Sequence, residues 1–396
     1  HKRSAMDPRV AIAGLAAAHG APVARPTTRA SHRPRHIPPT AQSQSQPSRS
    51  CARVAAGLLL GLSRATPARA KDAKANNAKD EKPGGGGEKV AIITGASTGI
   101  GKATAAELCR SGQYSQIFMA GHNKAKTQVA IDELGTATRL DFLPLELASF
   151  QSVREAAGQF QDLGLPLHTL ICNAAVMALP QRQVSVDGNE VQLEVNYLSH
   201  FLLTNLLLPQ LAKAGTSNDP ARIINVSSSA HFVRSPLAFG DTTDLNLSGA
   251  DGERYAYYPW TAYGQSKLAQ VMFTYELARR LKAKGLPVVA NVLDPGIVDT
   301  ELQRYLPQQA PAMMMKLAKS PQRGAETPVL LATADAGRSS GGYWVDQQLS
   351  ESLGRGKSPL PMNPELAVEG TTSYDENAWN SLWQRSAALV GLSETI

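Results

Sequence analysis

The sequence is poor in cysteine, with three cysteines among 396 residues. Cys51, Cys109 and Cys172 are far apart and form no CxxC pair, so their spacing supports neither a disulfide framework nor a metal site. The sequence also lacks any uninterrupted apolar stretch near the ~18 residues that a membrane-spanning helix needs. What remains is an ordinary folded core, for which the hydrophobic fraction of 42% is sufficient.

Acidic residues are almost missing from the first 70 residues, where eleven Lys and Arg accompany the single acid Asp7. The whole chain carries a formal charge of +7, so the basic excess belongs to this segment and not to the rest of the chain. No nucleic-acid partner is therefore predicted. A basic, acid-poor segment rich in Ser and Ala is typical of an organellar transit peptide, and we expect residues 1–70 to be a targeting leader.

An apolar run at residues 54–62 follows Arg53 within this leader and precedes the small-residue pattern Ala68-Arg69-Ala70. Two interpretations stay open: a two-part leader for the chloroplast and then the thylakoid, or a single transit peptide with a chance apolar patch. Both place the protein in the chloroplast, in the stroma or at a membrane. Residues 71–88 are charged and then glycine-rich, which predicts a disordered linker.

Short apolar runs alternate with segments of helical periodicity from residue 90 onward. Strands are expected at residues 90–93, 116–120, 142–147, 169–172, 222–227, 288–293 and 343–344. Helices are expected between them, including 190–214 and 262–282, and a terminal helix at 376–392. This alternation predicts an α/β fold over residues 89–350, with a single Rossmann-type, doubly wound parallel sheet of about seven strands and helices on both faces. Residues 351–396 form a C-terminal extension.

A glycine-rich turn joins the first strand to the first helix. Glycines there let the backbone approach a pyrophosphate at a helix N terminus, although any tight turn of this kind also uses glycine. The candidate cofactor-binding residues in the turn are Gly95, Ser97, Thr98, Gly99, Ile100 and Gly101.

Further motifs follow in order along the chain. They are Asn173-Ala174-Ala175, Asn196, Ser228 and Tyr263-Gly264-Gln265-Ser266-Lys267. With the TGxxxGxG spacing of the glycine turn, they resemble the short-chain dehydrogenase/reductase family over residues 89–343. The resemblance implies hydride transfer with a nicotinamide cofactor, contacts of Asn173, Ala174 and Ala175 with that cofactor, and the catalytic residues Asn196, Ser228, Tyr263 and Lys267.

Tyr263 and Lys267 lie four residues apart on one predicted helix and so on the same face. A phenol titrates near pH ~10, and a nearby ammonium is expected to lower that pKa and make proton transfer feasible. Ser228 can donate a hydrogen bond to a substrate oxygen. The family pattern favours Ser228 over Ser227 and Ser229. It also implies that Asn196 holds a water molecule in the proton relay from Lys267.

Cofactor choice depends on the end of the second strand, where an NAD enzyme carries an acid for the ribose hydroxyls. This chain has His122-Asn123 there, followed by Lys124 and Lys126, which predicts NADP(H). His122 stands where the related branch has Arg, although an ordinary surface histidine is the alternative. The resemblance also places six further residues at the cofactor, namely Glu146, Leu147, Pro295, Gly296, Val298 and Thr300.

Two branches of the family share segments with this chain. Residues 262–269 and 276–281 are similar to the retinol-dehydrogenase-like branch, whose chloroplast member is the dehydrogenase associated with the inner-envelope protein translocon. Residues 170–176 and 382–392 are similar to light-dependent protochlorophyllide reductase, which ranks second because the segment before Tyr263 is shorter here. We expect interconversion of a carbonyl and an alcohol (EC 1.1.1.-).

Met313, Met314 and Met315 fall in the family's substrate lid at residues 307–318, and their flexible side chains suit an apolar substrate. The alternative is that these methionines only pack a helix into the core. Peripheral association with a chloroplast membrane and a homodimer through the long fourth and fifth helices are further expectations. A function of another class is an NADP(H)-binding, redox-sensing subunit of a chloroplast membrane complex. The complete set of Asn, Ser, Tyr and Lys favours turnover.

The composition of the leader predicts that the mature protein begins near Lys71 or earlier within the leader. N-terminal sequencing of protein purified from the organelle checks this expectation. A functional mature protein that starts at or before His1 would contradict it.

Overall fold

The computed structural model describes residues 88–233, 235–250, 255–305, 318–350 and 374–393. Outside these ranges lie the predicted leader, residues 71–87 of the predicted linker, and residues 307–317 of the predicted substrate lid. Eight strands form one sheet in the order β3-β2-β1-β4-β5-β6-β7-β8. The strands are β1 Lys89–Thr94, β2 Tyr114–Gly121, β3 Arg139–Pro144, β4 Thr169–Cys172, β5 Ala221–Val226, β6 Val288–Asp294, β7 Tyr343–Val345 and β8 Gln348–Ser350. The first seven are parallel, and β8 is antiparallel to β7.

Helices cover both faces of the sheet, as the sequence predicts. The main helices are α1 Gly99–Arg110, α2 Lys124–Leu134, α3 Phe150–Asp162, α4 Ser199–Ala214, α5 Pro259–Ala283, α6 Pro321–Thr333 and α7 Glu376–Leu389. Successive residues of a strand point to opposite faces, so Ile92 enters one core with α3, α4 and α5, and Ile93 enters the other with α1 and α6. Both side chains are fully buried, which is why the strands of this sheet are apolar without alternation.

The third strand begins and ends three residues earlier than the predicted range of 142–147. Its pairing with β2 stops at the pair Gly121↔Pro144, because β2 turns there toward α2 and offers no further partner. Leu145 and Leu147 are nevertheless buried in the core beneath the sheet, so the apolar pattern continues past the end of the strand.

The eighth strand was not predicted. It follows β7 through Asp346 and Gln347, which have φ values of 48° and 63° and form a tight hairpin turn. All three residues of β8 are exposed, so hydrophobic alternation could not reveal it.

The predicted terminal helix is confirmed as α7, which lies against α4 and α5. Trp383 packs edge-on to Phe201 with ring centroids 4.9 Å apart and also contacts Phe273 at 5.7 Å. The Tyr197 and Ser386 hydroxyls share a buried hydrogen bond of 2.6 Å. A homodimer through α4 and α5 stays a prediction, and any such contact would have to accommodate α7. Among the described residues, no helix is both long and apolar enough to cross a membrane.

Candidate functional site

A cavity of about 650 Å³ opens at the carboxyl ends of the parallel strands. This is the edge where open α/β sheets bind ligands. The structure brings three predicted catalytic residues, Ser228, Tyr263 and Lys267, into its lining. The predicted cofactor residues that also line it are Gly95, Ser97, Thr98, Gly99, Ile100, His122, Asn123, Glu146, Leu147, Asn173, Ala174, Ala175, Pro295, Gly296, Val298 and Thr300. Gly101 and Asn196 are not among the lining residues.

The glycine turn fits a nucleotide pyrophosphate. Gly95 and Gly99 have φ values of 66° and 55°, a region that suits glycine. A Cβ atom on Gly101 would lie 2.5 Å from the Gly95 carbonyl oxygen, so the helix can approach the turn closely because that atom is missing. Thr98 caps α1 without a side-chain hydrogen bond, so the first backbone N–H groups of the helix are available to an anion.

Thr94 and Asn173 fix this turn against the end of β4. The Thr94 hydroxyl accepts hydrogen bonds from the backbone N–H groups of Asn173 at 2.9 Å and Ala174 at 3.0 Å. In return, the Asn173 side chain donates to the Thr94 carbonyl at 2.8 Å. The Asn173 side chain thus ties the start of the glycine turn to the end of β4.

The three consecutive serines after β5 have different partners. Ser227 donates to the Lys267 carbonyl at 2.9 Å. Burial raises the pKa of the Asp294 carboxyl group, and Ser229 lowers that pKa in part. Burial raises the pKa of Tyr263, and the Ser228 hydroxyl lowers that pKa in part. The Ser228 hydroxyl also accepts a hydrogen bond from the Ala230 N–H at 3.1 Å. Of the three, Ser228 is therefore the serine that the structure places at Tyr263.

Tyr263 and Lys267 are both almost fully buried on α5. The Lys267 Nζ lies 5.6 Å from the centre of the Tyr263 ring and donates to the Val226 carbonyl and the Gln270 Oε1, both at 2.9 Å. The ammonium is thus held beside the phenol but is bonded to other acceptors. Burial lowers the pKa of Lys267 to about 7, and the carboxylate of Asp294 opposes that shift.

The pKa of Tyr263 shifts in the direction opposite to the expectation from its sequence spacing. Burial raises this pKa, the hydrogen bond from Ser228 lowers it in part, and the charge of Asp294 raises it further. The expected lowering by Lys267 does not appear, because desolvation disfavours the phenolate and the ammonium is directed at Val226 and Gln270. In the ligand-free protein Tyr263 is a protonated phenol.

Asn196 lies in a π-helical turn, Glu194–Leu198, which interrupts the predicted long helix just before α4. π-Helical turns occur frequently at functional sites. The Asn196 side chain accepts a hydrogen bond from the Val176 N–H at 2.8 Å. It donates to the Val176 carbonyl and to the Ser266 hydroxyl, both at 2.9 Å. The Asn196 side chain is therefore occupied by protein partners and ties the loop after β4 to α5.

At the far end of the cavity, His122 is exposed and its Nδ1 lies 3.9 Å from the Glu146 carboxylate. Asn123 is engaged as the cap of α2, where its side chain accepts from the Lys126 N–H at 2.9 Å. Lys126 forms an ion pair of 2.6 Å with Glu301 across the cavity lining. Basic and acidic groups thus meet where an adenosine ribose would lie.

The sequence did not predict the apolar wall beside Tyr263. Met177, Ala178 and Ala230 pack with Tyr263, and the partly buried side chains of Trp260, Ile297 and Leu302 join them. The Trp260 ring lies 6.1 Å from the Tyr263 ring, edge to face. Its position three residues before Tyr263 on the same helix was the available signal. No group of residues suited to hold a metal ion occurs in the described ranges.

The family comparison agrees with this geometry. The family described as short chain dehydrogenase matches residues 89–239 and 245–311. The chain belongs to the short-chain dehydrogenase family. The match begins at β1 and extends past Tyr263, Lys267 and the loop that follows β6.

Curated relatives of this short-chain dehydrogenase include the polyprenol dehydrogenase of Mus musculus, which is 39% identical over 76% of this chain and 84% of that protein. Retinol dehydrogenase 13 of Mus musculus is 37% identical over 77% of this chain and 84% of that protein. An uncharacterised protein of Mycobacterium paratuberculosis with a crystal structure is 29% identical, with a TM-score of 0.56 over 78% of this chain and 96% of that one. The Pseudomonas aeruginosa RhlG/NADP active-site complex, at 24% identity and a TM-score of 0.53 over 65% of this chain and 94% of that one, shares the fold.

We expect Gly101→Ala to abolish tight binding of a nicotinamide dinucleotide to this short-chain dehydrogenase. The added Cβ would meet the Gly95 carbonyl oxygen at 2.5 Å and the Asn173 amide at 2.6 Å, so the turn must move. Quenching of protein fluorescence by the dinucleotide measures the effect. The control is Gly158→Ala in α3, where a Cβ meets nothing within 4 Å and removal of glycine from a helix should stabilise the fold by about 0.5–1 kcal/mol. Equal binding by both variants would contradict the assignment of the turn.

Proposed function

We propose that this protein is an NADP(H)-dependent oxidoreductase that interconverts a carbonyl and an alcohol on an apolar substrate, with Tyr263 as the acid and base. One observation carries the proposal. The Tyr263 phenol lies with Ser228 and Lys267 in the lining of the cavity where an apolar wall meets the glycine turn.

A bound nicotinamide nucleotide supplies or accepts the hydride. The protein's own residues hold the substrate oxygen and move its proton. Ser228 and Tyr263 can both donate to that oxygen, which stabilises the negative charge that develops on it during reduction. Because burial raises the pKa of Tyr263, the phenol is fully protonated at neutral pH and can give up a proton in reduction.

Lys267 acts through charge. When Tyr263 has given its proton to the substrate, the phenolate is buried and needs a compensating positive group nearby. The Lys267 Nζ lies close enough to supply it, and the Val226 carbonyl and Gln270 keep it in place. In the reverse direction Tyr263 must first lose its proton, and the resulting phenolate then accepts the proton of the alcohol.

The apolar wall supports an apolar substrate. Met177, Trp260 and Leu302 present no charge to the region beside Tyr263. The hydrocarbon chain of a substrate could therefore pack against these side chains. The names of two relatives, polyprenol dehydrogenase and retinol dehydrogenase 13, favour isoprenoid alcohols and aldehydes as the substrates. Light-dependent protochlorophyllide reductase, the second candidate from the sequence, gains no support from the relatives named above.

The location and assembly of the protein are proposed on composition and resemblance alone. The acid-poor leader supports a chloroplast protein. Peripheral membrane association would bring the enzyme to lipid-dissolved substrates, and a homodimer would have to accommodate α7 on α4 and α5. The redox-sensing alternative differs by one property, since it requires cofactor binding without turnover.

We predict tighter binding of NADPH than of NADH. No acid follows β2, and His122 and Lys126 line the cavity there. Glu146 opposes this preference, because its carboxylate lies 3.9 Å from His122. His122→Asp should shift the preference toward NADH, since a second carboxylate would repel a 2′-phosphate. Fluorescence titration of both cofactors decides it. Tighter binding of NADH by the wild type would contradict the prediction and show that Glu146 outweighs His122 and Lys126 in the choice of cofactor.

Tyr263→Phe should lower carbonyl reduction by about 10² to 10⁴-fold, the usual contribution of general acid catalysis. Only one oxygen is removed, so packing and cofactor affinity should survive. Lys267→Met should lower both the rate and the cofactor affinity, because the charge disappears from the cavity lining. Turnover of retinal-like and polyprenal-like aldehydes, together with cofactor titration, separates the two effects. Wild-type turnover by Tyr263→Phe would require another proton donor.

A further inference from the structure

A buried histidine connects the glycine turn with the π-helical turn of Asn196. His200 lies in the first turn of α4 with 1% of its surface exposed. Its Nε2 lies 2.9 Å from the Thr94 hydroxyl, and its Nδ1 lies 3.0 Å from the Asn196 carbonyl oxygen. Neither the motifs nor the cavity lining include this residue.

The hydrogen bonds of Thr94 determine which nitrogen of His200 carries the proton. A threonine hydroxyl has two lone pairs and one proton. Both lone pairs of Thr94 accept backbone N–H groups, from Asn173 and Ala174. Its proton therefore goes to the His200 Nε2 at 2.9 Å, in preference to the Ile171 carbonyl at 3.5 Å. Because Nε2 is then an acceptor, the imidazole proton must be on Nδ1 and is donated to the Asn196 carbonyl.

The imidazole is also held neutral. A proton on Nε2 would face a threonine oxygen whose lone pairs are already used. Burial lowers the pKa of His200 to about 4, the hydrogen bond to Asn196 raises it in part, and the charge of Lys267 lowers it further. His200 therefore keeps one donor and one acceptor at neutral pH.

The two partners of His200 lead to opposite sides of the proposed site. On one side, Thr94 holds Asn173 and, with it, the glycine turn. On the other side, Asn196 donates to Ser266, and Ser266 donates to the Tyr263 carbonyl at 2.7 Å. A continuous buried chain of hydrogen bonds thus runs from the cofactor turn to the backbone of Tyr263.

We propose that His200 is a positioning residue whose neutral Nδ1–H tautomer fixes the glycine turn relative to the helix that carries Tyr263 and Lys267. The inference rests on the oxidoreductase function proposed above. His200 touches neither substrate nor cofactor, and it acts through Thr94 and Asn196.

A matched pair of variants tests the bond to Asn196. Leucine and asparagine have the same branched shape, but the amide nitrogen of asparagine is attached to Cγ, as Nδ1 is in histidine. His200→Leu should lower kcat by about tenfold to a hundredfold, because misplacement of reacting groups by ~1 Å costs on the order of a hundredfold. KM should change far less. His200→Asn should recover much of the lost kcat, because it can restore the donor to the Asn196 carbonyl.

The control is His168→Leu. The His168 Nδ1 accepts a hydrogen bond from the Val90 N–H at 3.1 Å. His168 directly precedes β4 and so lies at the amino ends of the strands, opposite the cavity. This variant also removes a hydrogen bond between an imidazole and the backbone, so it should lower the melting temperature and leave kcat unchanged. Wild-type kcat in His200→Leu, or equal kcat in the leucine and asparagine variants of His200, would overturn the proposal.

A second measurement does not depend on turnover or on the folding of a variant. Nitrogen NMR of ¹⁵N-histidine-labelled, cofactor-free wild-type protein should show His200 as the neutral Nδ1–H tautomer across neutral pH. A neutral Nε2–H tautomer or a protonated ring would overturn the proposal. If the wild type shows the expected tautomer but reduces no aldehyde, the oxidoreductase function fails while the geometry of His200 stands.

Discussion

The hydroxyl group of Thr94 joins three elements of the fold. It accepts two backbone N–H groups from the end of β4 and donates its proton to His200 at the start of α4, while its own backbone ends β1. All of this occurs at 0% exposure, where an unpaired polar group is costly. The separation of β1, β4 and α4 at the carboxyl edge is therefore strongly specified. The glycine turn follows directly after this anchored residue.

Burial of Tyr263 and Lys267 has a clear electrostatic consequence. It raises the pKa of the phenol and lowers that of the amine to about 7, so each group is displaced toward its neutral form. Asp294 opposes the second shift and adds to the first. A neutral phenol suits donation of a proton, and an amine that titrates near neutrality can respond to charge formed beside it.

The sequence predicted most of the fold, and most of its candidate site residues line one cavity, but it did not reveal contacts that depend on tertiary packing. Buried parallel strands are apolar without interruption, so β1 and β4 were evident, whereas the exposed β8 carried no signal. The sequence predicted that the pKa of Tyr263 is lowered, whereas burial raises it. Helical spacing cannot reveal this desolvation. His200 was missed because a single histidine in an apolar helix does not reveal that its partner is Thr94, 106 residues away.

The central claim is that hydride reaches an apolar carbonyl at this site while Tyr263 supplies the proton. Its most direct test is isotope transfer. The purified protein is incubated with NADPH carrying deuterium at the transferable position and with an isoprenoid aldehyde, and the alcohol product is analysed by mass spectrometry. One deuterium is expected on the carbinol carbon of the product. Cofactor that binds tightly but transfers no deuterium to any aldehyde tested would contradict the account and favour a redox-sensing protein.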